Sequence, residues 1–444
     1  MVLKVKTPYE KKITTSNLLK FTLPSIIMMV FMSLYTITDG IFVSRFLGSN
    51  ALSSINIVFP IISFITAFGV MIATGGSAII AKKMGEGKRE HARSSFTFFV
   101  VVGIIFSIIT LVFTLVFLSP IVRFLGANDS LMENCRAYLG TLVLFAPACV
   151  LQLLFQSFFV TDGNPHIGLV LTIIGGVTNA VFDYIFLGPM GFGIEGAAIA
   201  TGLGQMIPAV FGIFYFFLSK KELFFVRFSF DGPTLLKACL NGSSEMVSNL
   251  SNAIITYLFN IIMMRMVGES GVAAITIILY GQFLFNSLYL GFSIGIAPII
   301  SYNFGAKNHS NLKKIFHICN GFVIITSIVI TGISYGLADI IVSAFIHRSE
   351  ATYLLGVNGF KLFSFCYLFS GFNIFTSGLF TALSNGKISA IISFSRTLIC
   401  MVVFLIVLPY ILGINGVWLA VPFAELVTVV LSLYYQKNAI TECR

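Results

Sequence analysis

The sequence predicts an all-α integral membrane protein of twelve transmembrane helices in two pseudo-symmetric six-helix lobes. Three observations carry that prediction. Of 444 residues, 57% are hydrophobic and 10% charged, with a mean hydropathy of +0.97, whereas a water-facing surface draws on roughly 25% charged residues. Runs long enough to cross a bilayer, which takes about 20 apolar residues, follow one another along the whole chain. The two halves also repeat one another at a shift of 220 residues. Disorder, collagen and coiled coil fail on the same composition, and little chain is left for a soluble domain.

Residues 46–81, 94–122, 137–161, 196–219, 270–306, 362–386 and 397–424 contain no Asp, Glu, Lys or Arg. Divided at glycine, proline and asparagine turns, the chain yields spans over approximately 20–45, 52–81, 94–119, 132–160, 165–188, 194–219, 234–267, 271–304, 312–336, 351–383, 387–411 and 415–436. The segment before the first span is polar and cationic (Lys4, Lys6, Lys11, Lys12, Lys20). It lacks the apolar core and cleavage site of a signal peptide.

Twelve spans bring both termini to one face. Counted by loop, that face carries 20 Lys and Arg, against five opposite: Arg45, Arg123, Arg136, Arg265 and Arg348. The positive-inside bias makes the termini cytoplasmic. Lys361 and Arg396 fall inside spans. The net charge of +10 resides in short clusters between apolar runs, which argues against a nucleic-acid partner. Seven scattered cysteines without a CxxC indicate neither a disulfide framework nor a zinc site.

The repeat is visible in turn motifs. Arg45-Phe46-Leu47-Gly48 aligns with Arg265-Met266-Val267-Gly268, Met84-Gly85-Glu86-Gly87 with Phe304-Gly305-Ala306-Lys307, and Gly193-Ile194-Glu195-Gly196 with Gly413-Ile414-Asn415-Gly416. Six spans per half give a parallel repeat about an axis along the membrane normal, a common transporter arrangement. The expected lobes are residues 1–225 (spans 1–6) and 226–444 (spans 7–12).

An ionisable side chain within a span costs at least a few kcal/mol and needs a reason to be there. In the first half Asp39 lies deep in span 1 and Asp183 in span 5, with no base at comparable depth. Asn179, four residues before Asp183, shares its helix face, and Thr201 lies two turns into span 6. Two carboxyls, an amide oxygen and a hydroxyl suit Na⁺. The same acids could instead share a proton, and the plain alternative is hydrogen bonding between helices. In the second half Glu245 and Glu425 occur alongside Lys361 and Arg396, which reads first as a buried ion-pair network and second as a substrate contact. The residues aligned with Asn179, Asp183 and Thr201 are Ile399, Val403 and Val421, so the coupling site belongs to the first half.

Prolines within or near spans (Pro24, Pro60, Pro147, Pro208, Pro298, Pro409, Pro422) can each kink a helix. Pro24 shares span 1 with Asp39, so a bend there could respond to the ion. Enzyme signatures are weak. No GxxxxGK[ST] nucleotide loop and no DDxxD acid cluster occurs, and the five histidines form no HExxH. Gly291-Phe292-Ser293-Ile294-Gly295 matches GxSxG, but inside an apolar span it reads as small-residue helix packing. The chain is therefore read as a transporter, not an enzyme.

Leu23-Pro24, Thr38-Asp39-Gly40, the Gly85-Glu86-Gly87 loop, Asn179 with Asp183, the Gly193–Ala198 entry to span 6 and the Gly413–Ala420 entry to span 12 together give a resemblance that covers essentially the whole chain. The sequence resembles the multidrug and toxic compound extrusion (MATE) transporters, closest to their prokaryotic branches. The resemblance implies two lobes in a V around a central cavity, and a monomer in the plasma (inner) membrane. It implies secondary active antiport, with organic cations exported in exchange for Na⁺ or H⁺ and no other cofactor. It assigns the bend proline to Pro24 and the cation site to Asp39, Asn179, Asp183 and Thr201. The sequence departs from the family at Glu245, which lies earlier in span 7 than the acid many members carry, and at Lys361, where some members place an acid. A flippase for lipid-linked substrates is the alternative, and Lys361 and Arg396 would then receive phosphate.

Overall fold

Inside hydrocarbon a chain satisfies its backbone N–H and C=O groups within one segment only as a helix, and nearly every residue within the spans is helical. The computed structural model describes residues 9, 12–219, 221–345 and 351–442. Lys4, Lys6, Lys11, Lys220, Arg348 and Arg444 from the charge count, and Cys443, lie outside them. The spans are α1 (Thr15–Gly48), α2 (Ser53–Gly85), α3 (Arg89–Val116), α4 (Asp129–Val143 with Ala146–Thr161), α5 (Pro165–Leu187) and α6 (Gly193–Leu218). They continue as α7 (Gly232–Met266), α8 (Glu269–Gly305), α9 (His309–Gly336), α10 (Thr352–Ser364 with Tyr367–Ala382), α11 (Gly386–Leu412) and α12 (Ile414–Ala439). Ten are single helices, and α4 and α10 are pairs bent by 52° and 50°. Several helices begin before the expected boundary, α1 at Thr15 and α3 at Arg89, because apolar runs mark only the part in hydrocarbon while the solvated first turn is polar: the Thr14 side chain caps α1, and α3 opens on Arg89 and Glu90.

The prolines divide into two kinds. Pro147 lies in the first turn of the second half of α4, where its missing N–H breaks no hydrogen bond, and marks the bend. Helices run without a break through Pro24, Pro60, Pro208, Pro298, Pro409 and Pro422. The bend in α10 has no proline at all.

The repeat is written into the backbone. Left-handed turns recur 220 residues apart, at Gly48 and Gly268 (φ 77° and 81°), Gly87 and Lys307 (77° and 54°), and Gly193 and Gly413 (62° and 58°). Gly48 and Gly268 each begin a tight reversal that a Cβ would strain. The outer surface is a belt of exposed apolar side chains such as Ile109, Phe214 and Val430, as expected against lipid. Inside the first half, Phe216 of α6 packs on Phe96 of α3 and Phe159 of α4, with ring centroids 4.7 and 5.2 Å apart. The abundant phenylalanine is thus divided between helix-packing core and the outer surface.

The halves meet at the terminus side through bare backbone. A Cβ on Gly85 of α2 would lie 2.0 Å from the Tyr302 carbonyl oxygen, and one on Gly305 of α8 would lie 2.1 Å from that of Lys82. These two contacts are each other's repeat images. Gly75 stands in the same relation to the Ala238 oxygen, and Gly242 to that of Met71, both at 2.0 Å. Gly291 and Gly295, from the GxSxG segment, pack on Ser25–Ile26 and Thr22 of α1, so that segment is a helix contact. Toward the opposite face, Gly40 meets the Tyr280 hydroxyl only at 3.7 Å. The halves are pinned at the terminus side.

Two terminus-side clamps reinforce this. Tyr9 donates to the carbonyls of Val160 (2.8 Å) and Thr161 (2.6 Å) in the first half and stacks on Tyr302 of the second, centroids 5.2 Å apart. Asp162, just after α4 and 3% exposed, accepts from the Leu223 backbone N–H (2.8 Å), the Tyr215 hydroxyl (2.8 Å) and the Asn164 amide (2.9 Å). It thereby ties the connector between the halves to the first half. Burial pushes the Asp162 carboxyl up to about 6, against the pull of those hydrogen bonds and of Lys221. Unfolded, its pKa is about 3.9, so between the two values the folded chain binds the extra proton. Its contribution to stability is greatest below pH ~4 and is lost as pH rises through ~6, on the order of 2–3 kcal/mol. Melting midpoints of detergent-purified wild type and Asp162→Asn should therefore differ in slope across that window. Parallel curves would refute the assignment.

Candidate cation site

Three helices bring the predicted first-half residues together. On α5, Asn179 Nδ2 donates to Asp183 Oδ2 across one turn at 3.1 Å, and both residues are buried, Asp183 fully. Asp39 on α1 comes within interaction range of the Asp183 carboxyl and the Asn179 amide. Helix α6 lies tightly on α5, since a Cβ on Gly204 would sit 2.8 Å from the Gly175 oxygen and 3.0 Å from Asn179 Cβ. Thr201 is three residues from Gly204, on the same helix face.

The electrostatics are one-sided. Among the described residues, no Lys or Arg acts on Asp39 or Asp183. Asp39 Oδ1, Asp183 Oδ1 and Thr201 Oγ1 are all buried without a hydrogen-bond partner. An unpaired buried oxygen costs on the order of 1–3 kcal/mol, and two facing carboxyls cannot both be charged cheaply. Oxygens in that condition fit a small hard cation or a shared proton. The two acids do not make a transition-metal centre, because no group of three His, Cys, Asp or Glu stands together among the described residues.

Sequence reasoning missed the surroundings. Tyr35, one turn before Asp39, approaches Gln152 of α4, and Gln152 Oε1 is another buried oxygen without a partner. Tyr138 of α4, 5% exposed, lies close enough to feel both acids. The i, i+4 relation of Tyr35 to Asp39 was available in the sequence. Nothing local marks Tyr138 or Gln152, which arrive through the fold of α4.

Three comparisons relate this chain to known proteins. The MatE family profile matches residues 24–185 and again residues 246–407. This chain belongs to the MATE family. It is a transporter of the prokaryotic branch rather than an enzyme. Among its relatives, the multidrug export protein MepA of Staphylococcus saprophyticus is 22% identical over 98% of this chain and 96% of its own. MepA of Staphylococcus haemolyticus is 25% identical over the same shares. A solved structure described as the outward-facing conformation of a multidrug resistance MATE family transporter of the MOP superfamily superposes with a TM-score of 0.91. It covers 99% of this chain and 97% of its own at 22% identity.

In this MATE transporter the second half has different chemistry. Arg396 of α11 pairs with Glu425 of α12 at 3.6 Å. Asn373 of α10 donates to Glu425 Oε2 at 2.7 Å and to its carbonyl oxygen at 2.9 Å, and accepts from Ser432. Glu245 of α7 feels the charge of Arg396. The expected four-member network needs one correction. Lys361 is not part of it, because its Nζ pairs with Asp339 Oδ2 at 3.0 Å. Lys361 lies before the α10 bend, and its long side chain reaches toward the water-exposed end, where Asp339 stands.

Arg396 sits in a π-helical turn, Ser395–Ile399, which shifts the register of the residues after it. That explains why the α11 counterparts of Asn179 and Asp183 are lost as well as apolar. Ile399 and Val403 are both 49% exposed on the bundle surface.

Proposed function

We propose that the protein is a secondary active antiporter of the bacterial inner membrane, exporting organic cations in exchange for Na⁺ or H⁺. One observation carries the reading: among the described residues Asp39 and Asp183 face each other without a base, while Asp39 Oδ1, Asp183 Oδ1 and Thr201 Oγ1 lie buried without partners. The coupling ion occupies that site, with Asn179 fixing the Asp183 carboxyl. Pro24, one helix with Asp39, is where α1 bends between states. The first six helices (residues 1–225) form the coupling lobe and the rest the second lobe. Substrate occupies the central cavity between them, and Glu245, Glu425 and Arg396 set the polarity of its second-lobe wall. The chain acts as a monomer, with termini in the cytoplasm, in keeping with its Lys and Arg distribution. The relatives' description as multidrug export proteins supports a small-molecule drug substrate.

The flippase reading loses its footing once Lys361 and Arg396 are each neutralised by an acid. A phosphate-bearing cargo needs bases that are free to receive it. Transport of a fluorescent organic cation into proteoliposomes, under separately imposed Na⁺ and proton gradients, tests the proposal. One gradient alone is expected to drive accumulation and so identify the ion. Accumulation under neither gradient would overturn it.

A further inference from the structure

On the terminus side, where α2 and α8 cross, a cavity of about 620 Å³ straddles the seam between the halves. Its size is within the roughly 300–1,000 Å³ common for small-ligand sites. Lys82 and Lys88 enter it from the first half, and Lys307 and His309 from the second. The one carboxylate among its described lining residues, Glu86, is held by Lys88 at 2.9 Å. Neither Lys82 nor Lys307 has a carboxylate partner among the described residues, and Lys82 Nζ lies instead over the Phe304 ring, 5.1 Å from its centroid. Two helices also begin at this cavity. Helix α3 starts at Arg89 with no side-chain cap on its first turn, and α9 starts at His309. Helix N-termini add the positive ends of their dipoles to the lysine charges.

Like charges converging from two bodies push those bodies apart. Yet the backbone contact at Gly85 and Gly305 holds them together at this point. An anion in the cavity resolves the conflict, because it pairs with lysines of both halves at once. We propose that the cavity is a phosphate-binding site that bridges the two halves and stabilises their closed terminus-side seam. The phosphate can come from the headgroup of an anionic phospholipid or from free inorganic phosphate. The site opens where spans end and headgroups begin, the position in which basic pockets between helices take anionic lipid. It shares no residue with the Asp39–Asp183 site and does not depend on the coupling reading.

Titration calorimetry on the purified full chain tests this with short-chain phosphatidylglycerol, short-chain phosphatidylcholine and inorganic phosphate. Wild type is expected to bind phosphatidylglycerol at least tenfold more tightly than phosphatidylcholine. Inorganic phosphate binding as tightly as phosphatidylglycerol names the free anion as the ligand, and weaker binding names the lipid. The K82Q/K307Q variant, verified as monodisperse, should weaken binding at least tenfold. Glu86→Gln, which removes the carboxylate that lines the cavity, should tighten it about threefold. Equal binding of both lipids without binding of inorganic phosphate, or unchanged binding in either variant, overturns the proposal.

Discussion

Asp39→Asn is expected to abolish gradient-driven efflux while leaving a folded protein of undiminished thermal stability. Asparagine keeps the volume and hydrogen-bonding capacity of the side chain, and it removes one of two carboxyls that face each other in a buried site. The strain of that pairing falls, so the melting midpoint should hold or rise. The cost falls on ion binding. A unit charge pair about 3 Å apart, at an effective dielectric near 20, interacts by on the order of 5 kcal/mol. Antiport needs an ion that distinguishes one conformation from another, since a ligand without differential affinity shifts nothing. Efflux from energised vesicles should drop at least about tenfold, the equivalent of ~1.4 kcal/mol. Unchanged efflux would place the coupling site elsewhere. Lost efflux with a lowered melting midpoint would reassign Asp39 to the scaffold.

The second large effect is structural. Gly75→Ala places a methyl group 2.0 Å from the Ala238 carbonyl oxygen and 2.8 Å from the Gly242 nitrogen. Both neighbours are backbone, so no rotamer change relieves the clash and helices α2 and α7 must separate. The cost is expected at or above the upper end of the overpacking range, about 3 kcal/mol, with a clear fall in melting midpoint and in the yield of monodisperse protein. Gly332→Ala supplies the contrast. It lies within α9 with nothing within 4 Å of the added carbon, so alanine there should be neutral or stabilising by up to ~1 kcal/mol. Similar behaviour of the two variants would mean that the α2–α7 contact does not hold the halves together.

Much of this architecture was legible because hydrocarbon is an unforgiving solvent. Absent charges located the spans, and the motif repeat gave the turn pairs Gly48/Gly268, Gly87/Lys307 and Gly193/Gly413 that the backbone displays. Asp39 and Asp183 stood out because an acid in a span always does, and the i, i+4 spacing of Asn179 already fixed its hydrogen bond. What stayed hidden depends on bends and long-range encounters. Lys361 meets Asp339 because α10 bends beyond it. The α11 counterparts of Asn179 and Asp183 point outward because of a π turn that no residue type announces. Asp162 finds Leu223 across 61 positions of chain, and Tyr9 spans two bodies, both beyond the reach of periodicity.

The glycine crossing has a mechanical consequence. With no side chain to compress, α2 and α8 touch as two bare rods at a fulcrum near one membrane surface. Helix α2 spans 33 residues, so its far end lies about 50 Å away. A roll of ~10° about that point carries the distant tip through about 9 Å, while atoms beside the fulcrum move by less than ~1 Å. A joint of this kind has the geometry of a lever, in which a small adjustment at one surface becomes a wide displacement of the helix ends at the other.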